Sequence, residues 1–251
     1  MKIVVIGGTG LIGSKLVHSL TERGHEAVAA APSTGVNTYT GEGLAEVLAG
    51  AEVVVDVSNS PTLDDGAKEF FRVATNHLLT AEADAGVGHH VALSVVGTGR
   101  MAPQSGYFQA KLAQEELIAG GPIPYTIVHA TQFFEFAETL ADSATIDGVV
   151  RMPQAYFQPM AAVDVAEGVA AAAVGTPTNG IVEIGGPVAV LLPDLLRTAL
   201  SARGDSRTVV ADPDATYWGV ELDERTLVPG PDATLSETTF EDWLLESAAR
   251  R

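Results

Sequence analysis

MKIVVIGGTGLIGSKLV (residues 1–17) runs a short apolar segment straight into glycines spaced three apart, Gly7, Gly10 and Gly13. Lys2–Ile6 reads as a buried strand and Leu11–Glu22 as a helix, which places the glycines in the turn between them. Glycine allows a tight turn there and lets a phosphate approach the backbone with no Cβ in the way. The helix start that follows offers free N–H groups and a partial positive charge. Thr9 adds a hydroxyl, and Leu11 and Ile12 open the helix beneath the expected pyrophosphate. The strand–turn–helix context predicts a dinucleotide site; the plainer alternative is a packing turn that holds no ligand.

Working outward, apolar runs alternate with helix-length stretches. Strands are expected at Glu26–Ala31, Val36–Tyr39, Val53–Val57, His90–Ser94 and Tyr125–His129, with helices at Leu44–Leu48, Ala67–Ala85 and Tyr107–Ala119. The alternation predicts an α/β fold, a doubly wound parallel sheet of Rossmann type. The runs are apolar throughout, as strands covered on both faces are. Beyond residue 130 the rhythm loosens. Helices are expected at Gln132–Leu140, Asp164–Val174 (with Asp164 as N-cap), Pro193–Ala202 and Thr238–Ala249, and a strand at Ile181–Ile184. There is no long linker and no repeat. The expectation is one domain over 1–251, with parts of 130–160 and 185–251 forming a small substrate-side lobe.

A site for NAD usually places an acid about twenty residues after the glycines, at the end of the second strand, to bond the ribose 2′-hydroxyl. Here that strand runs into AVAAAPSTG, with no acid across Ala29–Gly35. Nothing there repels a 2′-phosphate, and Ser33 and Thr34 are candidates to donate to it, although no arginine joins them. The expected cofactor is NADP(H) in preference to NAD(H).

A second group of residues points to chemistry. Ser94 ends a predicted strand, Tyr107 follows thirteen residues later, and Lys111 four after that, in SGYFQAKLAQEEL. Tyr107 and Lys111 share a helix face at this spacing. An ammonium beside a phenol favours the phenolate and lowers its pKa, which would let Tyr107 exchange a proton with a substrate oxygen. Ser94, at the carboxyl end of a strand where ligands of such sheets bind, would donate to the same oxygen.

The 251 residues carry 32 acids against 14 bases, a net charge of −18. Such a surface repels nucleic acid and anionic membranes and leaves a small molecule as the expected partner. With no cysteine, thiolate chemistry and disulfides are excluded. Neither a secretory signal nor a run near the length of a membrane span is legible, so a cytoplasmic protein is expected; a homodimer is allowed. His89-His90 does not read as a metal site, because neighbours on a strand face opposite ways. Phe133, Phe134, Phe136, Tyr156 and Met160 are candidates for an apolar substrate pocket or for core, and Trp243 for an anchor of the last helix.

With these motifs in view, the chain resembles the short-chain dehydrogenase/reductase superfamily, and within it the atypical, NmrA-like branch. The resemblance rests on GGTGLIG (7–13), LSVVG (93–97), YFQAK (107–111), IPYTIVHATQFFEF (123–136) and MAAVDVA (160–166). It implies a fold binding NAD(P)(H). It further implies that Gly7, Thr9, Gly10, Leu11, Ile12 and Gly13 contact the pyrophosphate and that Ser58 and Asn59 lie along the cofactor. Tyr107 would be the general acid/base, Lys111 would hold the nicotinamide ribose, and Ser94 would polarise the substrate oxygen. His129, Ala130, Thr131 and Phe133 would border the nicotinamide. The chain departs from the branch in three places. Phe71 stands where many relatives carry asparagine, Ala130 replaces a usual proline, and the segment between the second and fourth strands is short. The expected activity is an oxidoreductase acting on a small carbonyl or quinone-like substrate. A non-catalytic NAD(P)-binding sensor is the alternative, and a sugar-nucleotide epimerase or dehydratase a third possibility.

Overall fold

A computed structural model describes residues 1–62 and 66–249. Its strands, in chain order, begin with β1 (Lys2–Ile6), β2 (Glu26–Ala30), β3 (Val53–Asp56), β4 (His89–Val95) and β5 (Tyr125–Ala130). They continue with β6 (Thr145–Ile146), β7 (Val149–Met152), β8 (Tyr156–Phe157), β9 (Gly180–Gly185), β10 (Val190–Leu191), β11 (Thr208–Ala211) and β12 (Thr234–Leu235). The helices are α1 (Leu11–Glu22), α2 (Leu44–Leu48), α3 (Gly66–Ala85), α4 (Thr98–Met101), α5 (Gly106–Ala119), α6 (Ala137–Ser143), α7 (Ala162–Val174), α8 (Leu192–Ala202) and α9 (Phe240–Ala249).

Seven strands form one sheet in the order β12-β9-β5-β4-β3-β1-β2, every neighbour parallel. The β1 run explains the layering, because successive side chains face opposite ways. Ile3 and Val5 pack with Leu16 and Leu20 of α1 and Val165 and Val169 of α7, whereas Val4 and Ile6 pack with Leu44 and Leu48 of α2 and Leu78 of α3. Helices therefore cover both faces, the architecture expected of a doubly wound sheet. Since β1 pairs with β2 on one side and β3 on the other, the chain changes direction across the sheet at β1. The strand ends there open the crevice in which such folds bind ligands.

A second core gathers Met101, Phe134, Leu140, Met152, Phe157, Leu196 and Phe240 beneath two small sheets, β11-β7-β6 and β10-β8. The sequence reading leaves these strands out because they run only two to four residues each, too short to show a period. Val36–Tyr39 is not a strand. The Asn37 carboxamide oxygen accepts from the N–H groups of Tyr39 (2.9 Å) and Thr40 (3.3 Å) and folds the segment into a turn. Gln132–Leu140 is likewise not one helix but a short turn at Phe134–Phe136 leading into α6. Asp164 lies inside the first turn of α7, not at its cap, and the N–H of Ala162 donates instead to both carboxylate oxygens of Glu135, each at 3.1 Å. Glu135 also accepts from the Trp243 indole at 3.2 Å, which with the stacking of Trp243 on Phe240 seats α9.

His89 and His90 face opposite sides of β4 and take different partners. His89 Nε2 meets Thr126 Oγ1 at 3.0 Å, and burial pushes its imidazole down to about 4. His90 Nδ1 meets the Glu82 carboxylate at 2.8 and 3.0 Å, both side chains wholly buried. Burial alone would lower His90, but the Glu82 carboxylate beside it outweighs that and raises it.

Candidate functional site

The glycine turn has the shape its spacing predicts. Gly7 takes φ +77°, a conformation that L side chains rarely adopt. A Cβ on Gly13 would stand 2.2 Å from the Gly7 carbonyl oxygen and 2.7 Å from Gly8 Cα, so only glycine lets the helix start close against the turn. α1 begins with no side-chain cap and no acid in its first turn. Its free N–H groups and its positive end are left for an anion.

This turn floors a cleft of about 1360 Å³ that crosses the carboxyl ends of β1, β3, β4 and β5. Gly7, Thr9, Gly10, Leu11, Ile12 and Gly13 line it at one end, and Ser58 and Asn59 after β3 line its middle. Ser94, Tyr107, Lys111, Ala130, Thr131 and Phe133 border the far part. Three expected residues stand elsewhere. Ser33 and Thr34 are outside the lining, and the Thr34 hydroxyl is already used within its own turn, accepting from Ala31 N–H (2.9 Å) and donating to Ala31 O (3.0 Å). His129 is buried behind the wall, with Nε2 3.1 Å from Glu115 Oε1.

Ser94 borders the cleft, but its hydroxyl donates to Glu115 Oε1 on α5. The reason is the helix spacing: Glu115 follows Lys111 by four residues and points at the same strand. The hydroxyl that was expected to polarise a substrate oxygen is directed at this carboxylate instead.

Tyr107 and Lys111 do share one face of α5, yet they are held by different partners. The Tyr107 hydroxyl donates to Asn59 Oδ1 at 3.1 Å. Burial pushes its phenol up to about 12, with the Asn59 bond pulling weakly the other way. The lowering expected from Lys111 is absent because that ammonium is engaged below the phenol. It donates to Leu93 O at 3.0 Å and Gln114 Oε1 at 2.5 Å, and it sits 4.7 Å above the Phe71 ring. Burial pushes Lys111 down to about 8 against the pull of Asp56 and Glu115. Gln114 in turn donates to Asp56 Oδ2 at 3.0 Å, and Asp56 Oδ1 accepts from Ser58 N–H at 2.9 Å. One chain of bonds therefore runs from the loop after β3 to the lysine. Phe71, in the place of the relatives' asparagine, is the apolar seat of that lysine, while Asn76 bonds its own helix at Arg72 O.

Asp56, Gln114 and Glu115 are functional-region residues that motif reading passes over. Two signals were available: an acid ending the VVVD strand, and polar side chains three and four residues after Lys111. Gln132 is a further case, next to Thr131, which was expected at the nicotinamide. Both are buried beside the cleft, and the Thr131 hydroxyl and both ends of the Gln132 carboxamide lack a partner among the described residues.

Residues 3–93 match the model of the NAD dependent epimerase/dehydratase family. No curated relative matches the sequence. Solved structures similar to this one include MoeE5 in complex with UDP-glucose and NAD, at 19% identity, TM-score 0.71, covering 100% of this chain and 99% of that one. The UDP-glucose 4-epimerase of Thermus thermophilus in complex with NAD is similar at 18% identity and TM-score 0.69, covering 99% and 93%. A double mutant of DesIV, a dTDP-glucose 4,6-dehydratase from Streptomyces venezuelae, with NAD and DAU bound, is similar at 19% identity and TM-score 0.74, covering 99% and 96%. These likenesses establish the Rossmann-type fold.

They also overturn the preference for NADP(H). The matched family is NAD dependent, and each of these three structures holds NAD. The physical reason is that Ser33 and Thr34 lie outside the cleft lining, and among the described residues no arginine lines it. The residues present fit NAD. A glycine cradle that a Cβ would fill, an uncapped helix start and orphaned amide and hydroxyl groups near Thr131 and Gln132 all lie along one cleft.

Gly13→Ala tests the cradle. Overpacking of about 1–3 kcal/mol, if felt in the cradle, corresponds to about five- to 150-fold weaker NAD binding by titration calorimetry. Unchanged affinity would remove the turn from the site.

No helix among the described residues is long and apolar enough to cross a membrane.

Proposed function

We propose that the chain is an NAD-dependent oxidoreductase of the short-chain dehydrogenase/reductase type, acting on a small carbonyl or quinone-like substrate. The observation that carries this reading is the Tyr107 hydroxyl, presented at the cleft by α5 and held at 3.1 Å by Asn59. With its pKa pushed up to about 12, the phenol keeps its proton across the neutral range. It is therefore poised to donate to a substrate oxygen that gains electrons, and a proton donor placed this way is general-acid catalysis. Asn59 orients that hydroxyl, since Ser60 N–H fixes the same Oδ1 at 3.0 Å. Lys111, with two of its ammonium hydrogens given to Leu93 and Gln114, keeps a third for a ribose hydroxyl of the cofactor. The start of α1 and the glycine turn hold the pyrophosphate, and Thr131 and Gln132 face the carboxamide end. NAD, when bound, supplies or takes the hydride. Ser94 takes no part in the proton step and serves with Glu115 to brace β4 against α5.

A sugar-nucleotide epimerase or dehydratase is the second reading, favoured by the family matched over residues 3–93. Against it, Lys111 is the only cation lining the cleft among the described residues, so a second diphosphate finds no partner. An acceptor screen separates the readings. NADH oxidation is expected with at least one aromatic carbonyl or quinone, and no conversion of UDP-glucose or dTDP-glucose. Tight NAD binding with no turnover of any carbonyl or quinone would instead leave a dinucleotide sensor, the role the NmrA-like resemblance allows.

A further inference from the structure

The far wall of the cleft ends in a turn that neither the motifs nor the proton chemistry absorbs. Tyr217 and Val220 exchange backbone bonds, N–H to O at 2.8 Å one way and 3.0 Å the other, and close a two-residue loop of Trp218 and Gly219. Both loop residues have positive φ, +51° at Trp218 and +83° at Gly219, the pattern of a type I′ turn, whose first central position favours asparagine, aspartate or glycine. A tryptophan there is an outlier that its surroundings must hold in place. The turn holds it over the cleft: Tyr217 and Trp218 both line it, their rings stacked at 5.8 Å and 7°. Tyr217 backs one face of the indole, and the side chain is 43% exposed. No other ring contacts Trp218 among the described residues.

Tyr217 carries a second signal. Its ring is buried in the same apolar cluster against which Tyr107 packs, and it lines the cleft. Burial, and then the nearness of Tyr107, raise its phenol, which therefore stays protonated. Phe108, Leu140 and Phe157, which also line the cleft, belong to the same apolar cluster as Tyr217.

We infer that the Tyr217–Trp218 turn is the specificity element of the cleft, with Trp218 as a stacking platform and the Tyr217 hydroxyl as a donor, and that it takes a flat, uncharged ring bearing an oxygen acceptor. Tyr217 thereby supplies the second hydrogen bond that Ser94 cannot. A sugar nucleotide is disfavoured by its diphosphate, because Lys111 is the only cation lining the cleft among the described residues and is already engaged. The inference rests on the oxidoreductase reading for the use of that oxygen, but its test does not depend on turnover.

The protein saturated with NAD⁺ is titrated calorimetrically with 1,4-naphthoquinone, a mixture in which no hydride is available. Wild type is expected to bind, and UDP-glucose to give no binding heat. Trp218→Asn is expected to weaken naphthoquinone binding by about tenfold or more, the scale of a lost aromatic contact together with its buried area. It is also expected to raise the melting temperature, because asparagine suits the turn. Trp218→Phe, which keeps a ring, stays within about threefold of wild type, and Tyr217→Phe loses about fivefold, one neutral hydrogen bond. Naphthoquinone binding unchanged in Trp218→Asn, a lowered melting temperature in that variant, or binding of UDP-glucose but not naphthoquinone overturns the inference. Naphthoquinone bound as expected but never reduced by NADH overturns the oxidoreductase reading and leaves the recognition element standing.

Discussion

Tyr107→Phe is expected to lower kcat for the best acceptor by about a hundred- to ten-thousandfold, the range for loss of a positioned general acid. NAD affinity should stay within about twofold, since the change touches the proton step and not cofactor binding. The structure makes this substitution clean. Tyr107 packs edge-on against Phe71 at 6.4 Å and Phe108 at 5.3 Å, contacts that phenylalanine keeps. What is lost is one hydroxyl and its bond to Asn59, whose oxygen still accepts from Ser60 N–H. Because the phenol lies near 12, the wild-type rate should show no loss of the acid form between pH 6 and pH 9. A Tyr107→Phe variant that turns over as fast as wild type excludes the phenol as the acid.

The largest expected effect on stability is at Glu82. Glu82 and His90 are wholly buried and paired at 2.8 Å. Removing one member of such a pair strands the other, at a cost of about 3–5 kcal/mol. His90 Nε2 already lacks a partner among the described residues, so Glu82→Ala would leave both ring nitrogens unsatisfied in the α3–β4 interface. The melting temperature should fall on the order of 10 °C for a chain of this size. Glu82→Gln, which still offers an oxygen to Nδ1, should lose markedly less. Equal melting temperatures for Glu82→Ala and wild type would show that the pair contributes nothing to stability.

The first half of the fold was legible because its elements are long and both-sided. VVVD and KIVVI are apolar except for one terminal residue each, Asp56 and Lys2, α1 and α3 run for three turns or more, and the spacing of Gly7, Gly10 and Gly13 leaves little choice of turn. Leu44–Leu48 was read to the residue. In the second half the longer elements, β9, α7, α8 and α9, were legible too, whereas the strands of the two small sheets were not, because they are two to four residues long and their core is closed by residues distant in sequence, as Phe134 is by Phe240 and Trp243. At the site, Tyr107 and Asn59 came from motif and resemblance, but side-chain direction did not. Ser94 sits where a serine donor was expected and bonds Glu115 instead, and Lys111 gives its hydrogens to Leu93 and Gln114 rather than tuning the phenol. Spacing places residues on a face; the choice among competing acceptors on that face is settled only by the neighbouring strand. The cofactor choice failed in the same way, since a missing acid was read as room for a phosphate while Thr34 was closing its own turn.

The chain of bonds from Ser58 through Asp56 and Gln114 to Lys111 has a consequence for how ligands arrive. Each link is buried or backed by backbone, so these side chains have already given up their rotamer freedom in the folded protein. A ligand settling there has little left to order, and the entropy it would otherwise forfeit stays available as affinity. The floor of the cleft then behaves as a mould and not as a hinge. Differences in ligand residence time should arise at the rim, where the Trp218 turn hangs on two backbone bonds.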